Sequence, residues 1–189
     1  EQRTTMLAGV SHDMRTILTR FKLELALIGD TPDTEALRKD VDELQSMLEA
    51  YLAFARDDNG EAPVMADVAQ LLDEVRYNAE RHGAKVAVGF TGDPMVMIRL
   101  DAFRRCVTNL VNNARRHGTR VEVAGSRDER WLTVTVDDDG PGIPPERRDD
   151  VFRPFVRLDE ARNQDAGGSG LGLTIARDAA RSHGGDVIL

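Results

Sequence analysis

The sequence predicts an α+β protein: a helical hairpin that pairs with a second copy as a dimeric four-helix bundle, followed by an α/β sandwich. Three observations predict it. Apolar residues recur at heptad spacing from Leu7 to Ala55. A polar stretch broken by Gly and Pro, "DDNGEAPV" at 57–64, then ends that pattern and reads as a linker. Beyond it, strand-like and helix-like runs alternate in unequal order. These features divide the chain into residues 1–58 and 59–189.

The first helix carries Leu7, Val10, Met14, Ile17 and Phe21, then Leu25 and Ile28, on one seam. "GDTPD", Gly29 to Asp33, breaks it as a helix–helix loop does. The second helix repeats the spacing at Leu37, Val41, Leu44, Leu48, Tyr51 and Ala55. One such hairpin buries too little apolar surface to be securely stable alone, hence the expected dimer. Past the linker, a helix is expected from Asp67 to Arg81, and strands at Lys85–Phe90 and Met95–Ile98. Asp101 reads as the N-cap of a helix ending near Gly118. Strands follow at Arg120–Ala124 and Trp131–Asp137, around a turn at "GSRDER". After a loop-rich stretch, a helix over Leu171–Ser182 and a strand over Asp186–Leu189 close the chain. The helices are expected on one face of the sheet.

Composition narrows the classes. The chain has 189 residues, 41% of them hydrophobic, enough for a core. A net charge of −8 argues against a nucleic-acid surface as the main function. The single Cys106 rules out an internal disulfide and fits a reducing compartment. No run of about 18 apolar residues marks a membrane span. The opening "EQRTTMLAGV" already reads as helix, so the chain is expected to derive from something longer.

The seam sets the environment of His12. With Leu7, Met14 and Phe21 at a and Val10 and Ile17 at d, His12 falls at f, farthest from the seam. Thr16 lies one turn on, on the same face. Position alone favours an ordinary solvated histidine. A neutral imidazole is nevertheless a nucleophile. Asp13 could favour the useful tautomer, and Thr16 could orient a water. The four histidines lack paired metal-ligand spacing. An exposed nucleophile without a pocket must receive its substrate from another domain.

Four stretches in the second half fit one nucleotide site. In "NLVNNARRHG", Asn109 and Asn113 share a helix face, with Arg116 and His117 a turn further on. Carboxamide oxygens suit Mg²⁺ held mainly by phosphates and water, although the pair also fits a plain polar face. In "DDDGPGIP", Gly140 and Gly142 admit a flat ligand, and Asp139 could accept from an amine such as adenine N6. An acidic turn reads the same way. "VFRPFVRLD" holds Phe152 and Phe155 with Arg153 and Arg157, and the aromatics also fit loop anchors. "GGSGLGLTIA" runs from a glycine-rich loop into a helix N-terminus, where free N–H groups bind phosphate. It matches neither the Walker A loop nor the Rossmann fingerprint. Each stretch is weak alone, and the four in this order are strong.

Together with "SHDMRTILTR", they make the chain resemble a bacterial sensor histidine kinase of two-component signalling, of the osmosensor (EnvZ-like) type. The five stretches resemble the H, N, G1, F and G2 boxes. The resemblance implies a homodimeric HisKA hairpin, then a GHKL-type (Bergerat) domain that binds ATP with Mg²⁺. By motif match, His12 would be the phospho-acceptor, Asp13 a base or orienting group, and Thr16 the group that positions a hydrolytic water. Asn113 would ligate Mg²⁺, with Asn109 beside it and Arg116 and His117 near the phosphates. Asp139 would hold the adenine amine, with Gly142 near the base. Phe152 and Phe155 would brace a lid, and Gly168, Gly170 and Gly172 would surround the phosphates. The linker and Arg153–Gly167 are expected to be mobile. The partner would be a response-regulator receiver domain, with phosphoryl transfer to its aspartate and phosphatase activity toward it. The chain would be the cytoplasmic portion of an inner-membrane sensor, reaching the membrane only through an N-terminal portion not present here.

Two departures stand out. The family usually has proline five residues after the histidine, where this chain has Ile17. Isoleucine keeps the helix hydrogen bond that proline removes, so a straighter first helix and an altered kinase–phosphatase balance are expected. The chain also stops at "HGGDVIL", where the family completes another strand or two. Two other readings remain: a nucleotide-gated regulator-binding module with impaired kinase activity, and another GHKL ATPase. The heptad hairpin with "SHDMRT" disfavours the last.

Overall fold

The structure, a computed structural model, describes residues 2–55, 61–81, 83–158 and 170–189. Side chains are described from Met14 onward, except at 43, 46, 49, 50 and 52–55. By its internal contacts the chain divides into two units, residues 1–57 with 159–171, and residues 58–158 with 172–189.

The first unit is the helical hairpin, α1 (Gln2–Ile28) and α2 (Pro32–Ala55). Its turn follows from local chemistry. Gly29 takes φ +92°, a left-handed conformation that ends α1 without a Cβ clash. Thr31 caps α2, accepting from Thr34 N at 3.2 Å, while Thr34 Oγ1 accepts from Thr31 N at 2.8 Å. This is a capping box with threonine at both ends, and Pro32 follows at the first helical position, where no N–H is needed. Thr34 is buried because its hydroxyl also reaches Gly29 O at 2.8 Å. Arg38 fastens the turn to Asp30 and to Leu25 O, and Lys22 pairs with Asp42 at 2.6 Å across the hairpin.

The packing of this unit differs from the expected seam. Leu18, Leu25 and Val41 are buried, with Leu48 packed on them. Met14, Ile17 and Phe21 are 44–47% exposed, and Leu37, Leu44 and Tyr51 are 44–55% exposed. Two helices bury only the line along which they touch. The rest of the apolar stripe stays open within one chain. Across Ile17, α1 is unbroken α-helix.

The second unit is the α/β sandwich. It holds β1 (Val64–Asp67), α3 (Val68–Glu80), β2 (Lys85–Thr91), β3 (Met95–Ile98), α4 (Leu100–His117), β4 (Arg120–Arg127), β5 (Leu132–Asp138) and α5 (Gly172–Ser182). β1 pairs antiparallel with β3, and a second sheet runs β2-β4-β5, with β2–β4 parallel and β4–β5 antiparallel. Val121 and Val123 alternate inward with exposed Arg120 and Glu122, so one face of the sheet is buried. Leu71, Leu72, Val75, Val107 and Val111 of α3 and α4 pack with that face, as expected for helices on one side. Ala102, Cys106, Ala176 and Ala179 form the α4–α5 contact, small residues that let the helices approach closely.

Three local expectations are corrected. The linker is shorter than 57–64, because Val64 already pairs with Ile98 in β1; residues 56–60 lie outside the described residues. Asp101 is not the N-cap of α4. The cap residue is Arg99, and the Glu61 carboxylate caps the helix from 40 residues away, accepting from Asp101 N at 2.7 Å and Ala102 N at 3.1 Å. Asp186–Leu189 form no strand: Asp186 is held by Arg177 and Arg181 instead. No helix among the described residues is long and apolar enough to cross a membrane.

Candidate functional site

The expected nucleotide residues lie mainly on α4, on the loop after β5 and at the start of α5. α4 is strongly amphipathic, which puts Val107, Val111 and Ala114 in the core and leaves Asn109 and Asn113 half-buried on its flank. Arg116 and His117 are exposed in its last turn, where cations complement the helix end.

The end of α4 is pinned to the end of β5. The Asp139 carboxylate accepts from Thr119 N at 2.6 Å, Thr119 Oγ1 at 2.7 Å and Arg120 N at 2.9 Å. The Arg120 N–H, followed by the Thr119 hydroxyl and N–H, draws its carboxyl down from the ordinary 3.8 to about 2. Two glycines permit the approach. A Cβ on Gly118 would lie 2.7 Å from Asp139 Oδ1, and one on Gly140 would lie 2.7 Å from His117 O. Gly142 has φ +72° and open space where its side chain would be.

Asp139, expected to hold a base, has both carboxylate oxygens engaged within the fold. Its oxygens already hold the α4–β4 turn. Asp138, which sequence reading passed over, ends β5 with Oδ1 accepting from Gly140 N at 2.8 Å. In "DDDGPG" the last aspartate takes the N–H groups of Thr119 and Arg120, and the middle one takes that of Gly140.

α5 completes the group. A Cβ on Gly172 would come 3.6 Å from Asn109 Oδ1, so the helix begins beside α4. Thr174 Oγ1 donates to Phe152 O at 2.9 Å, and Arg177 lies 4.2 Å above the Phe152 ring. Arg177 also grips Asp186 at 2.7 and 3.1 Å, holding that carboxyl well below its usual range. Phe155 is 64% exposed with φ +65°, a conformation costing a bulky residue on the order of 1–2 kcal/mol. Gly170 takes φ +67°, and Gly168 lies outside the described residues, as does most of the expected mobile segment Arg153–Gly167.

In the first unit, His12, Asp13 and Thr16 lie within one turn of α1; the side chains of the first two lie outside the described residues, and Thr16 is exposed. Among the described residues no cluster of three His, Cys, Asp or Glu side chains offers a metal cage. The donor set beside Asn113 fits an ion held mainly by phosphate and water.

Comparison with known proteins joins these observations. Residues 2–60 match the His Kinase A (phospho-acceptor) domain, and residues 98–189 match the histidine kinase-, DNA gyrase B-, and HSP90-like ATPase. The chain is 36% identical to the sensor histidine kinase CpxA of Escherichia coli over 194 residues, covering 96% of this chain and 42% of that protein. It is 35% identical to the sensor histidine kinase GtrS of Pseudomonas aeruginosa over 189 residues, covering 100% of this chain and 39% of that one. The chain thus spans about two fifths of the length of these curated relatives. Full-length ShkA, solved in complex with AMPPNP, has a similar structure: TM-score 0.75, 26% identity, covering 96% of this chain and 42% of that one. The histidine kinase domain of the E. coli osmosensor EnvZ, solved by NMR, gives a TM-score of 0.52 at 34% identity, covering 69% of this chain and 82% of that one. With both parts matched in this order, the chain belongs to the sensor histidine kinase family, its phospho-acceptor domain preceding its ATPase domain.

Proposed function

We propose that this chain uses ATP to phosphorylate His12 and passes the phosphoryl group to an aspartate on a response-regulator receiver domain. One observation carries the reading: α4, the loop after β5 and the start of α5 gather amide, backbone and basic groups in a single unit, and the motif-matched nucleophile lies on a separate helix. An imidazole nitrogen of His12 attacks the γ-phosphorus, the bond to the β-phosphate oxygen breaks, and ADP leaves. Asp13 takes up the imidazole proton or holds the tautomer. Asn113 would hold Mg²⁺, with Asn109 beside it. The ion, when bound, neutralises phosphate charge. Arg116 and His117 face the phosphates, and the N–H groups at Gly170 and Gly172 add donors.

For the base we assign Asp138 in place of Asp139, because the Asp139 oxygens already serve Thr119 and Arg120. Asp138→Asn is then expected to weaken ATP binding more than Asp139→Asn, read by calorimetry. The reverse order would restore Asp139 to that role.

The hairpin is proposed to dimerise through Met14, Ile17, Phe21, Leu37 and Leu44, all 44–55% exposed within one chain. Thr16 positions the water that hydrolyses the regulator's aspartyl phosphate. We also propose that the chain is the cytoplasmic portion of a longer membrane sensor, in keeping with its share of the relatives' length.

Incubation with γ-labelled ATP and Mg²⁺ tests the central claim. His12→Gln is expected to lose all label yet still bind ATP, and label persisting in that variant would defeat the assignment. Absence of label in both, with ATP bound by both, would favour a nucleotide-gated binding module. Ile17→Pro is expected to change the ratio of kinase to phosphatase rates, and an unchanged ratio would remove Ile17 from that balance.

A further inference from the structure

α5 meets α4 through small side chains: Ala102 and Cys106 of α4 pack with Ala176 and Ala179 of α5. Such surfaces approach closely, but their shallow ridges interlock little and define the register of one helix on the other weakly. At its far end α5 is tied down by Arg99. The Arg99 side chain reaches Ser182 O, and its N–H donates to His183 Nε2 at 2.9 Å. The near end carries Gly172, whose Cβ would come 3.6 Å from Asn109 Oδ1, and needs a tie of its own.

Thr174 and Arg177 supply it. Thr174 Oγ1 donates to Phe152 O at 2.9 Å. About one turn on, the Arg177 guanidinium lies 4.2 Å above the Phe152 ring and forks onto Asp186 at 2.7 and 3.1 Å. One side chain thereby joins three segments: the short helical turn Asp150–Phe152, α5, and the chain beyond α5. The charges at this joint are committed to one another. Asp186 also pairs with Arg181 at 3.3 Å, and Asp149 adds attraction for Arg177. Asp150 is held by Arg147 at 3.5 Å and Arg153 at 3.1 Å. Arg177 is thus a clamp within the fold rather than a ligand for phosphate. Three residues beyond Phe152, Phe155 holds φ +65°, and a strained backbone persists only where its surroundings fix it. Phe152 is the fixed point on its N-terminal side.

We infer that Arg177 is a positioning residue of the candidate nucleotide site. By clamping Phe152 and Asp186 to α5, it sets the register of the first turn of α5 on α4, and with it the place of the Gly172 N–H beside Asn109. This rests on the nucleotide reading proposed above and adds how that site is held.

The experiment measures ADP affinity of the full chain by calorimetry, with melting of the ligand-free protein alongside. Arg177→Ala is expected to weaken ADP about fivefold to tenfold. Arg177→Lys keeps the charge without the flat fork and is expected to restore part of that loss. The two variants should melt alike while differing in affinity, which a merely structural role would not produce. In NMR spectra of ligand-free Arg177→Ala, the Gly172 and Thr174 amides should shift and those of Val86 and Val123 in the sheet should stay. Phe152→Leu closes a double-mutant cycle: if Arg177 acts through that ring, the double variant loses no more affinity than the larger single loss. Strictly additive losses, equal affinity in the Ala and Lys variants, or unmoved Gly172 and Thr174 amides would each overturn the inference. Parent and Arg177→Ala binding ADP equally would overturn it and leave the nucleotide reading standing, whereas a parent chain that binds neither ADP nor ATP would remove both.

Discussion

The two units bury their apolar residues to different degrees. In the hairpin, Leu18, Leu25 and Val41 are the buried apolar side chains among those described, and large residues on the same helices stay about half exposed. In the α/β unit, Val68, Leu71, Leu72, Val107 and Val111 are all within 2% of complete burial. The contrast reflects layers. A sheet covered by two helices encloses a core by itself, and two helices share only one line of contact. A hairpin of this kind stands at the low end of stability until a second apolar surface covers it.

This contrast can be broken or sharpened by experiment. The largest effect is expected at Leu72, 1% exposed. Leu72→Ala should cost about 2–5 kcal/mol, seen as a lowered melting transition of the α/β unit with loss of ATP binding. Leu18→Ala in the hairpin should cost less, and an equal cost would show that the hairpin core is as tightly packed. Next comes Ile17→Glu, 46% exposed within the chain and so harmless to a lone hairpin. If the open stripe is a dimer face, sedimentation should show the dimer replaced by monomer. A dimer that survives would put the interface elsewhere.

Smaller effects test what joins the elements of the α/β unit. Glu61→Ala removes the distant cap of α4 and should cost about 1 kcal/mol in denaturant unfolding, with helix α1 unaffected. The Cys106 thiol is pushed up to about 11 by burial and donates to Ala176 O at 3.3 Å. It should resist alkylation at pH 8 until the unit unfolds, and prompt alkylation would mean that the α4–α5 contact opens readily. The smallest effect concerns acid. Asp139 has its folded pKa lowered to about 2, so its contribution is present above the ordinary value of 3.8 and lost as pH falls through about 2. Asp139→Asn should flatten the acid limb of stability in that window, monitored by the near-ultraviolet signal of Trp131.

Much of the architecture was legible in the chain. The turn at "GDTPD" and the helix over Asp67–Arg81 carry their stop and start signals in adjacent residues, so period and capping chemistry sufficed. The strands at Lys85–Phe90 and Met95–Ile98 were legible from short β-rich runs. The order of the five motif stretches marked the family for the same reason: each is a local string. The strand Val64–Asp67 was hidden in a Pro-bounded stretch, because its partner lies thirty-odd residues on and only pairing defines it.

What the sequence by itself determined is the set of elements, the heptad stripe and the residue types offered to a nucleotide site. Tertiary structure decided which of them are committed elsewhere. Asp101 looked like a cap, and Glu61 took the role because the fold carries a carboxylate to the helix end. Asp139 read as a group for a ligand, and the fold also sets it to accept from the turn at Thr119 and Arg120. Ile17 looked like seam, and a single hairpin leaves it half open. The physical reason is common to all three. A side chain's chemistry is local, and the partner that satisfies it is chosen by contacts made across the fold.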